Sequence, residues 1–278
     1  MSTIPGSGTQ EDPYIVSTWT DLVAKAAVSN NYIKLGADID VLAEYPDGDM
    51  PALVNIANID GDGKTISRMY RTSENYCIMF SPSYNGLIEN VNFTNINTNY
   101  SLIKNHASQA SHINIKNCKF AGRIKSGRVL NRTDSYYSGR VINSSFNIKG
   151  NVTFCSDNGV QTHENCYIKL DTTANHLVHQ NSYYATTFAN CYLEINGPNL
   201  TEFGDEASTL VAFDNSALDI TTPNNVPFRA TATGISIFNQ THAPLMAEAR
   251  NIKAVLNGDW TNVSALQALG FDIVEVAE

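Results

Sequence analysis

The chain has 278 residues and carries 18 basic and 27 acidic side chains, a formal net charge of −9. This excess of negative charge argues against nucleic acid or an anionic membrane face as the main partner. A chain of this length forms either one long all-β domain or two ordinary domains, and its internal repeat favours one.

The N-terminal segment, residues 1–53, starts without the basic and apolar regions of a signal peptide. We therefore expect synthesis in the cytoplasm. No run of 18 apolar residues occurs in the sequence, and so we expect no insertion into a membrane.

A helix is predicted early in this segment. Ser17 is a residue type that favours helix N-termini, and one helical face after it, through Ser29, holds Trp19, Leu22, Val23, Ala26 and Ala27. The pattern predicts a short amphipathic helix followed by a strand over 32–35. Such a helix would cover the open end of a stacked β fold and hide its unpaired edge.

The next part of the chain leads into the repeat. Residues 37–51 are polar and irregular and predict a loop, and residues 54–59 predict one strand. The run Asp60-Gly61-Asp62-Gly63 resembles the start of a calcium loop, but its twelfth position is Arg71 where Glu is required. We interpret the run as a tight turn before a second strand at 65–66.

A four-residue phrase recurs through the middle of the chain: an Asn, a small residue, a variable residue and a large apolar residue. The phrase starts at Asn90, Asn117, Asn143, Asn165, Asn190 and Asn215, at steps of 27, 26, 22, 25 and 25 residues. A near-constant period with variable residues between the anchors is typical of stacked repeats, in which each unit covers its neighbour.

Each repeat contributes at least one strand. In the phrase, the variable residue stands between the small residue and the large apolar residue. On a strand this alternation places the small and the large apolar residues in a core and the variable residue in solvent. A unit of about 25 residues is too short for a strand, a crossover helix and a return, which need about 30 or more. We therefore predict an all-β fold, a single-stranded parallel β-helix over residues 54–244, with coils stacked at ~4.8 Å.

The anchor and small positions have predicted structural roles. The Asn at the corner can adopt a left-handed conformation, and its amide can bond the Asn one coil away to form a ladder. Cys118, Cys166 and Cys191 occupy the small position, where Ser144 and Ser216 also occur. This pattern predicts small buried thiols better than disulfides or a zinc site.

The last segment, residues 245–278, departs from the repeat. A strand is predicted at 252–256, a short helix at 262–269 ending at a Gly, and a final strand at 271–276. The segment predicts a small α/β cap on the other end of the column, or a contact with a partner.

The phrase and its period resemble the right-handed parallel β-helix family, which includes pectin-degrading enzymes, bacterial surface proteins and phage tail spikes. Residues 8–16 resemble the start of β-helix modules in phage and bacterial surface proteins. Residues 265–274 resemble the C-terminal helix-Gly-Phe-strand of structural proteins from phages of Gram-positive bacteria.

This resemblance implies a right-handed solenoid with a role in a virion. The implied function is a non-enzymatic component of a bacteriophage virion surface, of the tail spike, head fibre or decoration type. Such a protein would form a homotrimer and bind another virion protein or a host-surface glycan.

The alternative is a carbohydrate-active β-helix enzyme, a hydrolase or a lyase. Glu164 and Asp214 each precede an anchor and would lie two coils apart, ~9.6 Å, near the carboxylate separation of an inverting glycosidase. Equally, same-phase carboxylates on strand edges are common surface charges. The paired aspartates and Gly-His signatures of pectin hydrolases are missing, so we expect no catalytic site and keep these two carboxylates as its only candidates.

No cofactor or metal site is predicted. His176 and His179 could hold a metal only from a helix or a tight turn, and a surface role fits them better.

Tyrosines form the candidate ligand-binding positions. One group recurs six residues before alternate anchors and includes two adjacent tyrosines; it consists of Tyr84, Tyr136, Tyr137, Tyr183 and Tyr184. If the group faces inward it packs the core, and if it faces outward it forms an aromatic shelf for a glycan or a neighbouring subunit. Tyr167 and Tyr192, predicted to point outward one coil apart, form a second candidate patch.

Overall fold

The computed structural model of the protein describes most of the chain between residues 4 and 254. Outside the description lie 1–3, 29, 57, 73–75, 81–85, 106–111, 132–138, 158–160, 181–184, 201, 205–209, 215, 222–231, 234–235, 239–248, 251–252 and 255–278. At 55, 156, 157, 179, 180 and 185, and beyond residue 200 except at Ser216, the description covers the backbone alone.

The described residues form two short helices and a long series of short strands. The helices are α1 (Trp19–Ala26) and α2 (Val41–Glu44). In chain order the strands are β1 (Tyr14–Val16), β2 (Tyr32–Leu35), β3 (Ile39–Asp40), β4 (Leu53–Ile56), β5 (Asn58–Asp60), β6 (Thr65–Ser67), β7 (Tyr70–Arg71), β8 (Tyr76–Phe80), β9 (Leu87–Glu89), β10 (Asn92–Thr98), β11 (Ser101–Lys104), β12 (Asn114–Lys116), β13 (Lys119–Asn131), β14 (Gly139–Ile142), β15 (Ser145–Asp157), β16 (Gln161–Glu164), β17 (Tyr167–Thr172), β18 (His176–Gln180), β19 (Ala185–Ala189), β20 (Tyr192–Asn196), β21 (Glu202–Gly204), β22 (Leu210–Asp214), β23 (Ala217–Thr221), β24 (Ala232–Thr233), β25 (Ser236–Phe238), β26 (Ala249–Arg250) and β27 (Lys253–Ala254).

The strands build three parallel faces around one core. The first face runs β1-β2-β5-β9-β12-β14-β16-β19-β22-β24-β26. The second runs β3-β6-β10-β13-β15-β17-β20-β23-β25-β27. The third runs β4-β8-β11, through the C-terminal halves of β13 and β15, to β18 and β21.

Successive coils visit these faces in the same order, so that each strand pairs in parallel with its equivalent one coil later. In one coil, β9 on the first face leads through a corner at Asn90 to β10 on the second face and β11 on the third. The predicted all-β parallel solenoid is confirmed. Because each coil pairs only with its neighbours, the backbone hydrogen bonds of the central coils are made along the column.

Two predictions near the N-terminus are wrong. Residues 54–59 do not form one strand, because β4 belongs to the third face and β5 to the first. The predicted loop at 37–51 contains strand β3 and helix α2. The turn at 60–63 is confirmed, since Asp62 has a φ of 50° and its N–H donates to Asp60 Oδ1 at 2.9 Å.

The core is filled by files of like side chains that stack along the column. On the second face, the rings of Phe93, Phe120 and Phe146 stack at centroid distances of 4.8 and 5.0 Å with interplanar angles of 7° and 6°. Ile168 and Leu193 continue this file, and both are fully buried. Burying each such side chain contributes about 1.5–3 kcal/mol.

The anchor asparagines form the predicted ladder. Asn90, Asn117, Asn143, Asn165 and Asn190 all have φ between 50° and 57°. Each of three successive amides donates to the Asn one coil earlier: Asn117 to Asn90 at 3.0 Å, Asn143 to Asn117 at 3.3 Å and Asn165 to Asn143 at 3.1 Å. Asn can adopt this left-handed conformation because its short polar side chain makes local hydrogen bonds there.

The small position next to the ladder holds buried thiols, as predicted. Cys118, Cys166 and Cys191 are at most 1 % exposed, and none of the five cysteines of the chain forms a disulfide. Their S–H groups donate to backbone carbonyls, for example Cys166 to Glu164 O at 3.2 Å. Burial raises the pKa of Cys118 to about 12, so this thiol is unreactive at neutral pH.

Helix α1 packs against the first coils of the solenoid. Its N-cap is Thr18 and not the predicted Ser17, since Thr18 Oγ1 accepts the N–H of Asp21 at 3.1 Å. Trp19 is fully buried, and its indole N–H donates to Pro51 O at 3.1 Å. Glu44 of α2 accepts the N–H of Thr20 at 3.0 Å, so a carboxylate stabilises the positive end of α1.

The division into residues 1–53, 54–244 and 245–278 stays a prediction. Strands β1, β2 and β3 already pair with strands of the solenoid, and β26 and β27 pair with β24 and β25. The helix predicted at 262–269 and the strand predicted at 271–276 lie outside the described residues. Among the described residues, no helix has the length and apolar character needed to cross a membrane.

Candidate functional site

The two carboxylates considered for catalysis lie in one file of the first face. Ala189 pairs with Glu164 on one side and with Asp214 on the other, which places the two acidic residues two coils apart. Glu164 is held by a bidentate contact, with Arg140 Nη2 at 2.7 and 2.9 Å from its two oxygens. The side chain of Asp214 is outside the description, and the catalytic role of this pair stays a prediction.

Most of the tyrosines predicted to bind a ligand lie outside the described part of the chain. The whole first group lies outside the described residues; its members are Tyr84, Tyr136, Tyr137, Tyr183 and Tyr184. The second pair is described, and its rings stack at a centroid distance of 5.5 Å.

The predicted outward patch at this second pair is smaller than expected. Tyr192 is only 3 % exposed, although it occupies the outward-pointing strand position. Tyr167 keeps partial exposure, and its hydroxyl donates to Glu194 Oε2 at 2.5 Å. Lys169 forms an ion pair with the same carboxylate. This correction reflects tertiary packing, which alternation along a strand does not reveal.

A charged file runs along the first face, one residue before the anchors. In register its members are Lys34, Asp60, Glu89, Lys116, Ile142, Glu164, Ala189 and Asp214. Asp60 and Glu89 are therefore direct neighbours across one coil, about 4.8 Å apart at the backbone.

The position of Asp60 beside Glu89 is not apparent from the repeated Asn phrase. Gly61 stands at the anchor position of this coil, and the turn after it lengthens the corner before Thr65. The Asn phrase is therefore absent from the coil in which it would have shown how β5 pairs with β9. The alternation of Asn58, Ile59 and Asp60 is the signal that could have placed Asp60 on the outer side of a strand.

A cleft of about 360 Å³ lies over this part of the charged file, and we call it the first-face cleft. One side is formed by Gln10 and Pro13 of the N-terminal segment, and the other by strands β2, β5 and β9. The lining residues from these strands are Tyr32, Ile33, Lys34, Asn58, Ile59, Asp60, Leu87 and Glu89.

The polar groups of the first-face cleft are held in place by their neighbours. Asp60 Oδ1 accepts the N–H of Asp62 and the amide of Asn90, each at 2.9 Å. Lys34 Nζ lies 3.3 Å from Asp62, and Glu89 faces Lys116 with Nζ at 3.6 Å from Oε2. The cleft therefore offers fixed carboxylate acceptors, amide donors and an aromatic ring, a combination suited to a ligand rich in hydroxyl groups.

A second cleft of about 360 Å³ lies between the segment after α2 and the second face, and we call it the Tyr70 cleft. Tyr70 is 36 % exposed, and Gly48 lies so close to its ring that an added Cβ would be 2.3 Å from Cδ1. Arg68, also in the lining, forms an ion pair with Asp40. Because its guanidinium is paired with Asp40, Arg68 is less available to an anionic ligand than an unpaired arginine would be.

Two polar side chains on β16 point into the core. His163 and Gln161 are fully buried, and none of their side-chain nitrogen and oxygen atoms has a hydrogen-bond partner. Burial lowers the pKa of His163 to about 3, so the ring is neutral at physiological pH. No group of three or more His, Cys, Asp or Glu with metal-binding geometry occurs in the described part of the chain.

Comparison with known proteins adds little beyond the geometry. No family model matches the chain, and no curated protein matches it. One solved structure, a candidate immunoglobulin A1 protease from Bacteroides ovatus, is similar at a TM-score of 0.46 and 18 % identity. The similarity covers 90 % of this chain and 86 % of that one.

Proposed function

We propose that the protein is a non-enzymatic component of a bacteriophage virion surface, of the tail spike, head fibre or decoration type, and that it binds a host-surface glycan. The single observation that supports binding best is the first-face cleft, in which fixed carboxylates, amides and a tyrosine line a recess on a regular solenoid. The resemblance of residues 265–274 to structural proteins of phages, and of residues 8–16 to β-helix modules in phage and bacterial surface proteins, supports the virion setting.

The solenoid provides a rigid support for such a site. Every coil pairs in parallel with the next, and the Asn ladder ties the corners together. Side chains on rigid strands hold their positions better than side chains on loops, so a ligand binds with little ordering cost. A second virion protein is the other partner that this surface would fit, and a homotrimer is the proposed assembly.

One observation favours the enzymatic alternative. The backbones of Asp60 and Glu89 lie one coil apart, about 4.8 Å, and adjacent strand positions are close enough for the carboxyl separation of about 5–5.5 Å in retaining glycosidases. Catalysis would require one of them to deliver a proton to the leaving sugar. Asp60 Oδ1 instead accepts two N–H donors, which suits a fixed acceptor for hydroxyl groups.

The test combines binding with product analysis. The protein is incubated with cell walls purified from Gram-positive bacteria, and the soluble sugars and the bound protein are measured. We expect co-sedimentation with the walls and no release of sugar. If the parent releases sugar and Asp60→Asn, Glu89→Gln, Glu164→Ala or Asp214→Ala does not, the non-enzymatic proposal is wrong and the responsible carboxylate is identified.

Mass in solution tests the assembly. Sedimentation equilibrium is expected to give three times the chain mass of 30.4 kDa. A monomer at all concentrations would contradict the proposed virion rod and favour a stand-alone enzyme or an adaptor.

A further inference from the structure

We infer that the first-face cleft binds a sugar that carries no acidic group, either an uncharged sugar or an amino sugar. This inference rests on the proposed glycan-binding function and specifies its site and ligand class. The cleft volume of about 360 Å³ lies within the ~300–1,000 Å³ typical of small-molecule sites.

The charges of the lining determine the selectivity. Asp60 and Glu89 are nearest neighbours in one file, where like charges repel each other. Lys34 is the cation of the lining, and it lies 3.3 Å from Asp62, outside the lining. Glu89 is likewise paired outside the lining, with Lys116 Nζ at 3.6 Å. The lining itself holds two carboxylates and one lysine, an excess of one negative charge. A uronic acid would add a third negative charge, whereas hydroxyl or ammonium groups would donate to the carboxylates.

The remaining lining residues suit the body of a sugar ring. Tyr32 and Asn58 are neighbours in the adjacent file, and both are partly exposed. The tyrosine ring offers an apolar face for the C–H groups of a sugar, and the amide of Asn58 both donates and accepts. Gln10 supplies a second amide from the opposite wall. The site thus provides one aromatic contact and polar groups on two sides.

The neighbouring candidate surfaces are less suited to this ligand. In the Tyr70 cleft, the ring of Tyr70 packs against Gly48 and the guanidinium of Arg68 is paired with Asp40. At the second tyrosine pair, Tyr192 is buried and the Tyr167 hydroxyl is bonded to Glu194. The first-face cleft combines a recess with two adjacent carboxylates, which neither of these two surfaces does.

The experiment is a calorimetric titration of the full chain with three soluble tetrasaccharides: glucosamine, N-acetylglucosamine and galacturonic acid. We expect the first two to bind and the galacturonate tetramer to bind at least tenfold more weakly. Tyr32→Ala and Asn58→Ala should each weaken binding of the first two at least tenfold. Glu89→Gln should weaken binding of the glucosamine tetramer most. It should therefore reduce the ratio of the affinity for this tetramer to the affinity for the galacturonate tetramer.

Two matched controls lie on the same molecule. Tyr70→Ala removes the exposed tyrosine of the Tyr70 cleft. Glu164→Gln makes the same change as Glu89→Gln in the same file, three coils further along. Both controls should leave all affinities within twofold of the parent, and circular dichroism melting should verify that every variant is folded.

The outcomes separate the inference from the proposed function. Tighter binding of the galacturonate tetramer, or loss of binding in Tyr70→Ala with retention in both Tyr32→Ala and Asn58→Ala, overturns the inference. If none of the three tetramers binds while the protein still sediments with cell walls, the cleft assignment is overturned and the glycan-binding function stands. Failure to bind walls at all overturns the glycan-binding function.

Discussion

His163 lies in the sealed core of the solenoid, with Val141 one coil before it and Phe188 one coil after it. Its ring stacks on Phe188 at a centroid distance of 4.8 Å and contacts Phe154 at 5.2 Å. The two ring nitrogens have no hydrogen-bond partner. An aliphatic or aromatic residue at this position would fill the same space without leaving buried polar atoms unpaired.

His163 should make the protein sensitive to acid. Burial lowers the pKa of the folded-state imidazole to about 3, whereas the unfolded residue titrates near 6.5. Between these pH values the unfolded chain binds a proton that the folded chain excludes. The free energy of unfolding is therefore highest above pH 6.5 and decreases as the pH falls toward 3. At pH 4.5 this loss amounts to roughly 2–3 kcal/mol.

The substitution His163→Phe tests this prediction. We expect it to raise the free energy of unfolding by about 1 kcal/mol at pH 7.5, because two unpaired buried nitrogens are removed. The gain should grow by roughly 2 kcal/mol at pH 4.5, where the acid-dependent loss is also removed. Urea unfolding at both pH values measures the difference. A gain that is equal at the two pH values would contradict the assigned role of the imidazole.

At the scale of the element, the corner between the first and second faces depends on one backbone conformation. Asn117 has a φ of 52°, donates to Asn90 Oδ1 at 3.0 Å and accepts from the Asn143 amide at 3.3 Å. The second corner is built differently. Strand β15 bends from the second face to the third at Gly150, where φ is 134° and an added Cβ would lie 1.7 Å from Ile124 O.

The two contributions at Asn117 can be separated by a pair of substitutions. Asn117→Gly keeps access to the left-handed conformation and removes two amide hydrogen bonds, which should cost about 1–2 kcal/mol. Asn117→Ala removes the same bonds and adds the steric penalty of a Cβ, about 1 kcal/mol more. Urea unfolding of both variants measures the two costs. If alanine is tolerated as well as glycine, the corner does not depend on the left-handed conformation.

At the scale of the whole molecule, the stability of each coil depends on its neighbours. An end coil has a partner on one side only, and α1 supplies the missing contacts at the N-terminal end through Trp19, Leu22 and Ala26. The loss of these contacts should therefore act locally first, on the coils closest to the helix.

Trp19→Ala tests this coupling between the helix and the stack. We expect a loss of about 3–5 kcal/mol in the stability of the N-terminal coils, because a fully buried indole and its hydrogen bond to Pro51 are removed. Hydrogen exchange measured by mass spectrometry should accelerate in β2, β4 and β5 more than in β15 and β17. Uniform acceleration along the column would show that the solenoid unfolds as one cooperative unit and contradict the local effect.

The stacking of the coils, the left-handed asparagines and the buried thiols can all be predicted from local patterns in the sequence. These features follow from a period and from strand alternation, and both are visible wherever the Asn phrase occurs, as at Asn117 and Cys118. The alternation of residues along β16 also predicts that the side chain of His163 points inward.

Which surface groups meet depends on how segments that are far apart in the chain pack together. The longer corner after Gly61 hides the register that places Asp60 beside Glu89, and contacts from outside its own strand bury Tyr192. Helix α2 was also missed, because its four residues carry too few turns for a helical period to be seen. A cleft depends on residues far apart in the chain, such as Gln10 and Glu89, and a local pattern contains no information about their distance.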